Sequence, residues 1–298
     1  MSNNSPMFES EKYCKNCGQH LILDQKFCHN CGQKADTHRI DYHFLIHEIQ
    51  HSVFHVDKGI FFTIKELFTR PGHTIREYLD GRRQNHFKPV LFLIIAGSVC
   101  GLLNYFTAVG RGIGGAQRDF ENTVGDPKVL QYVDIDGLAN FFKNVFFWFS
   151  DHFSFFILFM IPAAAFGFYR GFRKYKLNYA EWLVIITFLS GQMLVVYFFV
   201  LLFEYLSGRD ASTFFLLVTM GLTTWTMVQL FRHRPALRMI LRTLWSYLLS
   251  WIFTGIHIVI TALVLFLVGI VIFGKHKIIE DLQKPEPKTE IITSPTQN

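Results

Sequence analysis

Charge is scarce in this sequence. Only 17% of the 298 residues are Asp, Glu, Lys or Arg, where a soluble domain carries about a quarter. Beside a hydrophobic content of 50% that includes 33 Phe, this shortage excludes an ordinary water-soluble globule. Cysteine is rare outside one place: of five, four lie between positions 14 and 31, which excludes a disulfide framework spread through the chain. A phosphate loop, a dinucleotide-binding unit and a nucleophile elbow are all missing. The one glycine-rich run, GRGIGGAQ at Gly110–Gln117, reads as a flexible turn. The opening residues, MSNNSPMFESEKYCKNC, lack the apolar stretch of a secretory signal. The front end is therefore expected to stay on the side where the chain is made.

What is present is unevenly placed. Residues before Pro89 are polar, and long apolar runs follow it. The arrangement predicts an all-α integral membrane protein of about five transmembrane helices, with a small N-terminal zinc ribbon and amphipathic juxtamembrane helices between the two. The expected divisions are 1–35 for the ribbon, 36–88 for the interfacial helices, 89–273 for the membrane domain and 274–298 for a disordered, Pro-containing tail. The formal charge of +6 does not require nucleic acid as a partner, because Lys and Arg collect in the cytoplasmic loops of membrane proteins.

The ribbon rests on Cys14, Cys17, Cys28 and Cys31, arranged as C-x2-C, a ten-residue gap and C-x2-C. Each pair aims two thiolates at one point, and Gly18 and Gly32 permit the tight backbone that follows. Four thiolates suit tetrahedral zinc. The set is closed, with no position left for water, so the metal is expected to be structural and to supply the folding energy of a module with almost no core.

Five segments are long enough to cross roughly 30 Å of hydrocarbon: Val90–Val109, Phe153–Tyr169, Tyr179–Phe203, Ser212–Phe231 and Leu244–Phe273. The fifth is read as one tilted helix, with two crossings as the alternative. The connections RGFRKYK and RHRPALRMILR are basic with no acid, whereas the loops between them are acidic or balanced. By the positive-inside rule the ribbon is cytoplasmic, in a multi-pass protein of the cell inner membrane. Gly97–Gly101 and Ala163–Gly167 are small-xxx-small pairs that allow close helix approach. Gln192 and His257 fall within spans, where a polar group is either functional or bonded to another helix; Glu181 and Glu204 sit at helix ends, within reach of water.

The segment HEIQHSVFH, beginning at His47, opens with H-E-x-x-H, the zinc-protease signature. On a helix over His43–Val56 an apolar face of Leu45, Ile46, Ile49, Val53 and Val56 opposes a ladder of His43, His47, His51 and His55. One Glu at position 48 within that ladder generates the pattern, and the metzincin extension is missing. His47, Glu48 and His51 are thus the only catalytic candidates, set against a solvated histidine face that could also hold a metal without catalysis. Between the ladder and the membrane, Phe61, Phe62, Ile64, Leu67 and Phe68 mark a short apolar helix. Arg70-Pro71-Gly72 marks a turn, and Thr74 and Glu77 a capping box for a further helix ended by Gly81. Arg70, Arg76, Arg82 and Arg83 read as headgroup contacts, or as holders of a phosphate-bearing ligand.

The ribbon YCKNCGQ…FCHNCGQK, followed by HVDKGIFFTIKELFTRPGHTIREYLDGRRQNHFKP and hydrophobic spans, resembles the bacterial membrane family known as domain of unknown function 3667. The resemblance implies a multi-pass inner-membrane protein with an N-terminal zinc ribbon. It supplies no activity and no catalytic residue. The residues thus lead to a non-enzymatic membrane protein whose ribbon recruits or regulates a cytoplasmic protein partner, with the bilayer and a homo-oligomer as further partners. Alternatives are a transporter or channel-like permease built on His257, Gln192 and Pro162, and a membrane-tethered metalloprotease.

Overall fold

A computed structural model describes residues 12–22, 25–46, 59–108, 141–142, 144–145, 148 and 153–283, with side chains up to Gly269 and at Val271. Most of the described residues are helical, and five of the helices they form are long and apolar enough to cross a membrane. It divides into two compact units. One holds residues up to Gly112 and Phe149–His257, and the other holds Ile113–Trp148 with Ile258–Asn298.

The first unit begins with two short strands, β1 (Lys12–Tyr13) and β2 (His20–Leu21), paired antiparallel with Lys12 opposite Leu21. Two helices follow, α1 (Ile60–Thr69) and α2 (Pro71–Leu79). The break between them is a single residue, Arg70, at φ −147° and ψ 57°. Pro71 is then the first helical residue, where its missing N–H leaves nothing unsatisfied. The expected turn at Arg70–Gly72 is therefore shorter than its residues suggest. Thr74 lies inside α2 and returns its hydroxyl to the Arg70 carbonyl at 3.0 Å, and no side chain caps this helix. Gly81, at φ +101°, does end the element in a conformation that only glycine adopts without strain. Of the proposed histidine helix, residues 42–46 are helical; the rest lies outside the described residues.

The membrane helices are α3 (Pro89–Ala108), α4 (Phe153–Gly171), α5 (Tyr179–Ser207), α6 (Ser212–Leu230) and α7 (Ala236–Gln283). Helix α5 is central: 56% of its apolar stretch is buried, against 6% for α7. Its start is set by a full capping box in which Asn178 accepts from the Glu181 N–H at 2.8 Å and Glu181 accepts from the Asn178 N–H at 2.7 Å. The core packs Trp182, Ile185, Phe188 and Leu189 of α5 against Phe92 of α3, Phe168 of α4, Phe172 just after it, and Tyr78 of α2. Close approaches are made where side chains vanish. Gly191 lies under Phe92, Gly97 under Ser154, and Gly167 and Gly171 under Ser250 and Ser246 of α7. So Gly167 does act as a small-residue contact, with Gly171 as its partner one turn on. Helix α7 runs unbroken over 48 residues, so the two-crossing alternative for the fifth segment does not apply.

In the second unit, Phe142 stacks on Phe266 with ring centroids 6.4 Å apart.

Candidate metal centre and its docking site

The four ribbon cysteines converge. Their Sγ atoms all lie within 4.8 Å of one another, with Cys14–Cys31 and Cys17–Cys28 at 3.6 Å. These separations are too long for disulfides and close to the edge, about 3.8 Å, of a tetrahedron of thiolates around a zinc-sized dication. The same local geometry occurs twice. The Gly18 N–H donates to the Cys14 carbonyl and the Cys14 N–H to the Gln19 carbonyl, each at 2.8 Å. The Gly32 N–H donates to Cys28 at 2.9 Å and the Cys28 N–H to Gln33 at 2.8 Å. Both glycines sit at φ +74°, which is why each C-x2-C is followed by Gly. The Gln19 backbone N–H pulls the Cys17 thiol down to about 6, while loss of water raises Cys31 to about 11. Cys14, Cys17, Cys28 and Cys31 would hold a dication at the centre, and its field would ionise the remaining thiols. The donor set fits a structural metal ion.

The ribbon is not a free appendage. Buried Gln33, the residue after the second knuckle, offers its Oε1 to two successive backbone N–H groups, Arg83 at 3.2 Å and Gln84 at 2.9 Å. Lys15 donates to the Thr37 carbonyl at 2.7 Å, and Gly81 lies against both residues. Arg39 reaches further, to both carboxylate oxygens of Glu181 at 2.6 and 2.7 Å and to the Lys176 carbonyl at 2.7 Å. The Glu181 side chain is only 5% exposed although Arg39 is 60% exposed. The expectation that water reaches Glu181 is thus corrected: the ribbon's own linker covers it. Asn178 Nδ2 adds a bond to the Ile40 carbonyl at 2.9 Å.

Two of the four arginines of the juxtamembrane segment, Arg76 and Arg83, serve helix ends. Arg70 pairs with Glu66 and, at 3.2 Å, with Glu77, which also lies 3.6 Å from His86 Nε2. Burial of His86 lowers its pKa in spite of that carboxylate. Arg76 donates to the Leu230 carbonyl at the end of α6. Arg83 donates to the Tyr78 and His38 carbonyls at 3.1 and 3.2 Å and lies 4.1 Å over the Phe44 ring. Arg82 is exposed. Carbonyls in the last turn of a helix have no intrahelical partner, and a guanidinium is well shaped to satisfy them.

Gln192 also serves a helix end. It is buried within α5 and donates to the Leu67 carbonyl in the last turn of α1 at 2.7 Å. His257 lies against Phe159, ring centroids 4.6 Å apart, and its Nε2 is buried without a hydrogen-bond partner among the described residues. Pro162 accepts the Tyr179 hydroxyl at 2.7 Å. His47, Glu48 and His51 lie outside the described residues. Gln33, Arg39 and Gln229 were not candidates from the sequence. The only signal for Gln33 was the repeated C-G-Q, in which both knuckles end on the same amide.

Gln33→Ala leaves two part-buried N–H groups, those of Arg83 and Gln84, without their side-chain acceptor, a cost of about 1–3 kcal/mol. Gln19→Ala, at the exposed twin, is expected to cost nothing measurable. Limited proteolysis of the purified protein checks this: the ribbon linker is cut faster in Gln33→Ala, and equal rates in the two variants would remove the docking role.

No curated protein and no solved structure matches the chain. Residues 57–100, which hold α1, α2, the loop that receives Gln33 and the first half of α3, match the model of a family described as Protein of unknown function (DUF3667).

Proposed function

We propose that this chain is a non-enzymatic membrane protein that uses a cytoplasmic zinc ribbon to hold a protein partner at the inner membrane. One observation carries the reading: the two knuckles are alike, yet only one is covered. The Gln33 half docks on the chain's own 81–84 loop. Among the described residues the Gln19 half is open, with none of their atoms within 4 Å of a Cβ placed at Gly18. On the ribbon Tyr13 and Ile22, next to this half, and Phe27, beside the other knuckle, are 55%, 65% and 62% exposed, an unusual apolar load for so small a module. An amide acceptor flanked by apolar side chains suits a partner's backbone turn, as Gln33 accepts one from the chain itself.

Zinc is preferred as the metal because it favours four thiolates in a closed tetrahedral site. The cytoplasmic placement is supported by charge. The ribbon's linker bonds to Lys176 and its neighbour Asn178, and Arg76 bonds to Leu230. The ribbon therefore shares one end of the helices with the basic α4–α5 and α6–α7 connections, the loops that the positive-inside rule keeps in the cytoplasm.

A photo-crosslinking residue at Ile22 of the full-length protein, expressed in cells, is expected to give discrete protein adducts that vanish with Tyr13→Ser/Phe27→Ser. Adducts no different from those at Lys12 would sink the recruitment reading. Adducts only with a second copy would replace it with self-association.

A further inference from the structure

A cavity of about 540 Å³ opens where the ribbon, α2, the α4–α5 connection and the α6–α7 turn meet. Its volume lies within the range of about 300–1,000 Å³ typical of small-ligand sites. Four cationic side chains line it, Lys15, Arg39, Arg76 and Arg234, against two carboxylates, Asp80 and Glu181. The difference is +2. Glu181 is already matched by Arg39, which takes both of its oxygens. The surplus therefore lies on Lys15, Arg76 and Arg234, opposed only by Asp80.

These three have donors to spare. Lys15 gives one N–H to the Thr37 carbonyl, and Arg76 bonds the Leu230 carbonyl. The Arg234 guanidinium lies 5.9 Å from the centroid of Tyr175, and no side-chain hydrogen bond is seen for it among the described residues. Ammonium and guanidinium groups hold several donors each, so most remain directed at the cavity or at water. Beneath them Tyr175 and Phe231, with ring centroids 4.8 Å apart, give an apolar floor.

A solvated basic rim is the ordinary alternative, since positive-inside loops are basic anyway. Two features go beyond it. The cations come from three separate parts of the chain, and each part is pinned by bonds not involving the cavity: Gln33 to the 83–84 backbone, Asn178 to the Ile40 carbonyl, and Gly72 to Gln229. A site built before its ligand arrives loses little entropy on binding. The cavity also joins cations to an apolar floor, which a rim serving topology alone does not need.

We propose that this cavity binds a phosphate-bearing anion through Lys15, Arg76 and Arg234. The phosphate can belong to an anionic lipid headgroup at the membrane surface or to a soluble phosphate compound. The proposal is independent of partner recruitment through the ribbon's open face.

The test uses the full-length, detergent-purified protein with its ribbon metal in place. Its unfolding temperature is followed against inorganic phosphate, with chloride at equal ionic strength as control, and against short-chain phosphatidylglycerol with phosphatidylcholine as control. Lys15→Ala/Arg234→Gln is expected to weaken the response about tenfold or more, since charge-assisted bonds are lost. Asp80→Asn is expected to strengthen it several-fold, a gain that a misfolded variant cannot imitate. If the double variant loses its ribbon metal, Arg234→Gln alone is read, because that side chain makes no hydrogen bond to the described residues that it could lose. A specific response to phosphatidylglycerol only assigns a lipid headgroup, and one to phosphate only assigns a soluble ligand; both support the site. No response beyond the controls, or the same response in wild type, the double variant and Asp80→Asn, overturns it.

Discussion

Replacing Cys14 and Cys17 with serine is expected to remove the only metal from the chain and to unfold the ribbon with it. Elemental analysis of the purified protein should give one zinc per chain for the wild type and none for the variant. The effect is large because the ribbon has little else: among its described residues the buried apolar ones are Leu21 and the cysteines Cys14 and Cys28. A structural zinc site of this kind supplies about 10–16 kcal/mol of apparent binding energy at neutral pH, and most of it is folding energy. The loss should propagate. Without the second knuckle Gln33 no longer meets Arg83 and Gln84, and the 36–41 linker that covers Glu181 is left tethered through Arg39, Asn178 and the Arg83 bond to the His38 carbonyl. The membrane helices draw their core from other residues and should keep their helical signal. Protease sensitivity should therefore rise at the linker alone. Full metal content in the variant, or a metal-free ribbon that stays protected, would reject a structural site. Two zincs with one surviving would point to the histidine ladder, and HEIQH would return as an active-site candidate.

The ribbon and the spans were legible in the sequence because both are written locally. Four thiols at C-x2-C spacing can do little else together in a reducing compartment, and a run such as VLFLIIAGSVCGLLNYFTAV is apolar whatever packs on it. What the polar residues near the membrane are for was not legible. Arg76, Gln192, Gln229 and Arg39 each bond a group 125 to 157 residues away, and no pattern along the chain encodes such a pairing. Their common logic is clear only in three dimensions. Helices α1 and α2 are short, so a large share of their backbone groups are unpaired ends. The Leu67 carbonyl and the Gly72 N–H belong to such ends, and Gln192 and Gln229 from neighbouring spans satisfy them, as Arg76 satisfies the end of α6. The sequence leaves Gln192 either functional or bonded to another helix, and its bond to the Leu67 carbonyl is of the second kind. The one-residue break at Arg70 was missed because Pro and Gly in succession also describe an ordinary turn.

Gly72→Ala is expected to cost about 2–4 kcal/mol, because overpacking a tight contact costs about 1–3 kcal/mol and a lost hydrogen bond about 1 more. Gly72 does not have the positive φ that Gly18, Gly32, Gly81 and Gly208 have, so turn geometry is not its reason. Its reason is proximity. A Cβ there would lie 2.4 Å from the Leu230 nitrogen, 2.6 Å from the Thr226 carbonyl oxygen and 2.4 Å from Gln229 Cβ. Two of the three are backbone atoms, so no side-chain rotation relieves the clash, and α2 must withdraw from α6. Withdrawal breaks the 3.1 Å bond from the Gly72 N–H to Gln229 Oε1 and the Arg76 bond to Leu230. It also loosens the wall that Arg76 and Leu230 give the cationic cavity. The control is Gly221→Ala on α6 itself, where no atom of the described residues lies within 4 Å of the new methyl group. There alanine's better helix propensity should stabilise by about 0.5–1 kcal/mol. Unfolding temperatures of the two variants in the same detergent should therefore move in opposite directions. If Gly72→Ala melts with the wild type, the α2–α6 contact is not what holds the juxtamembrane helices in place, and the glycine of the R-P-G sequence must be needed for something other than close packing.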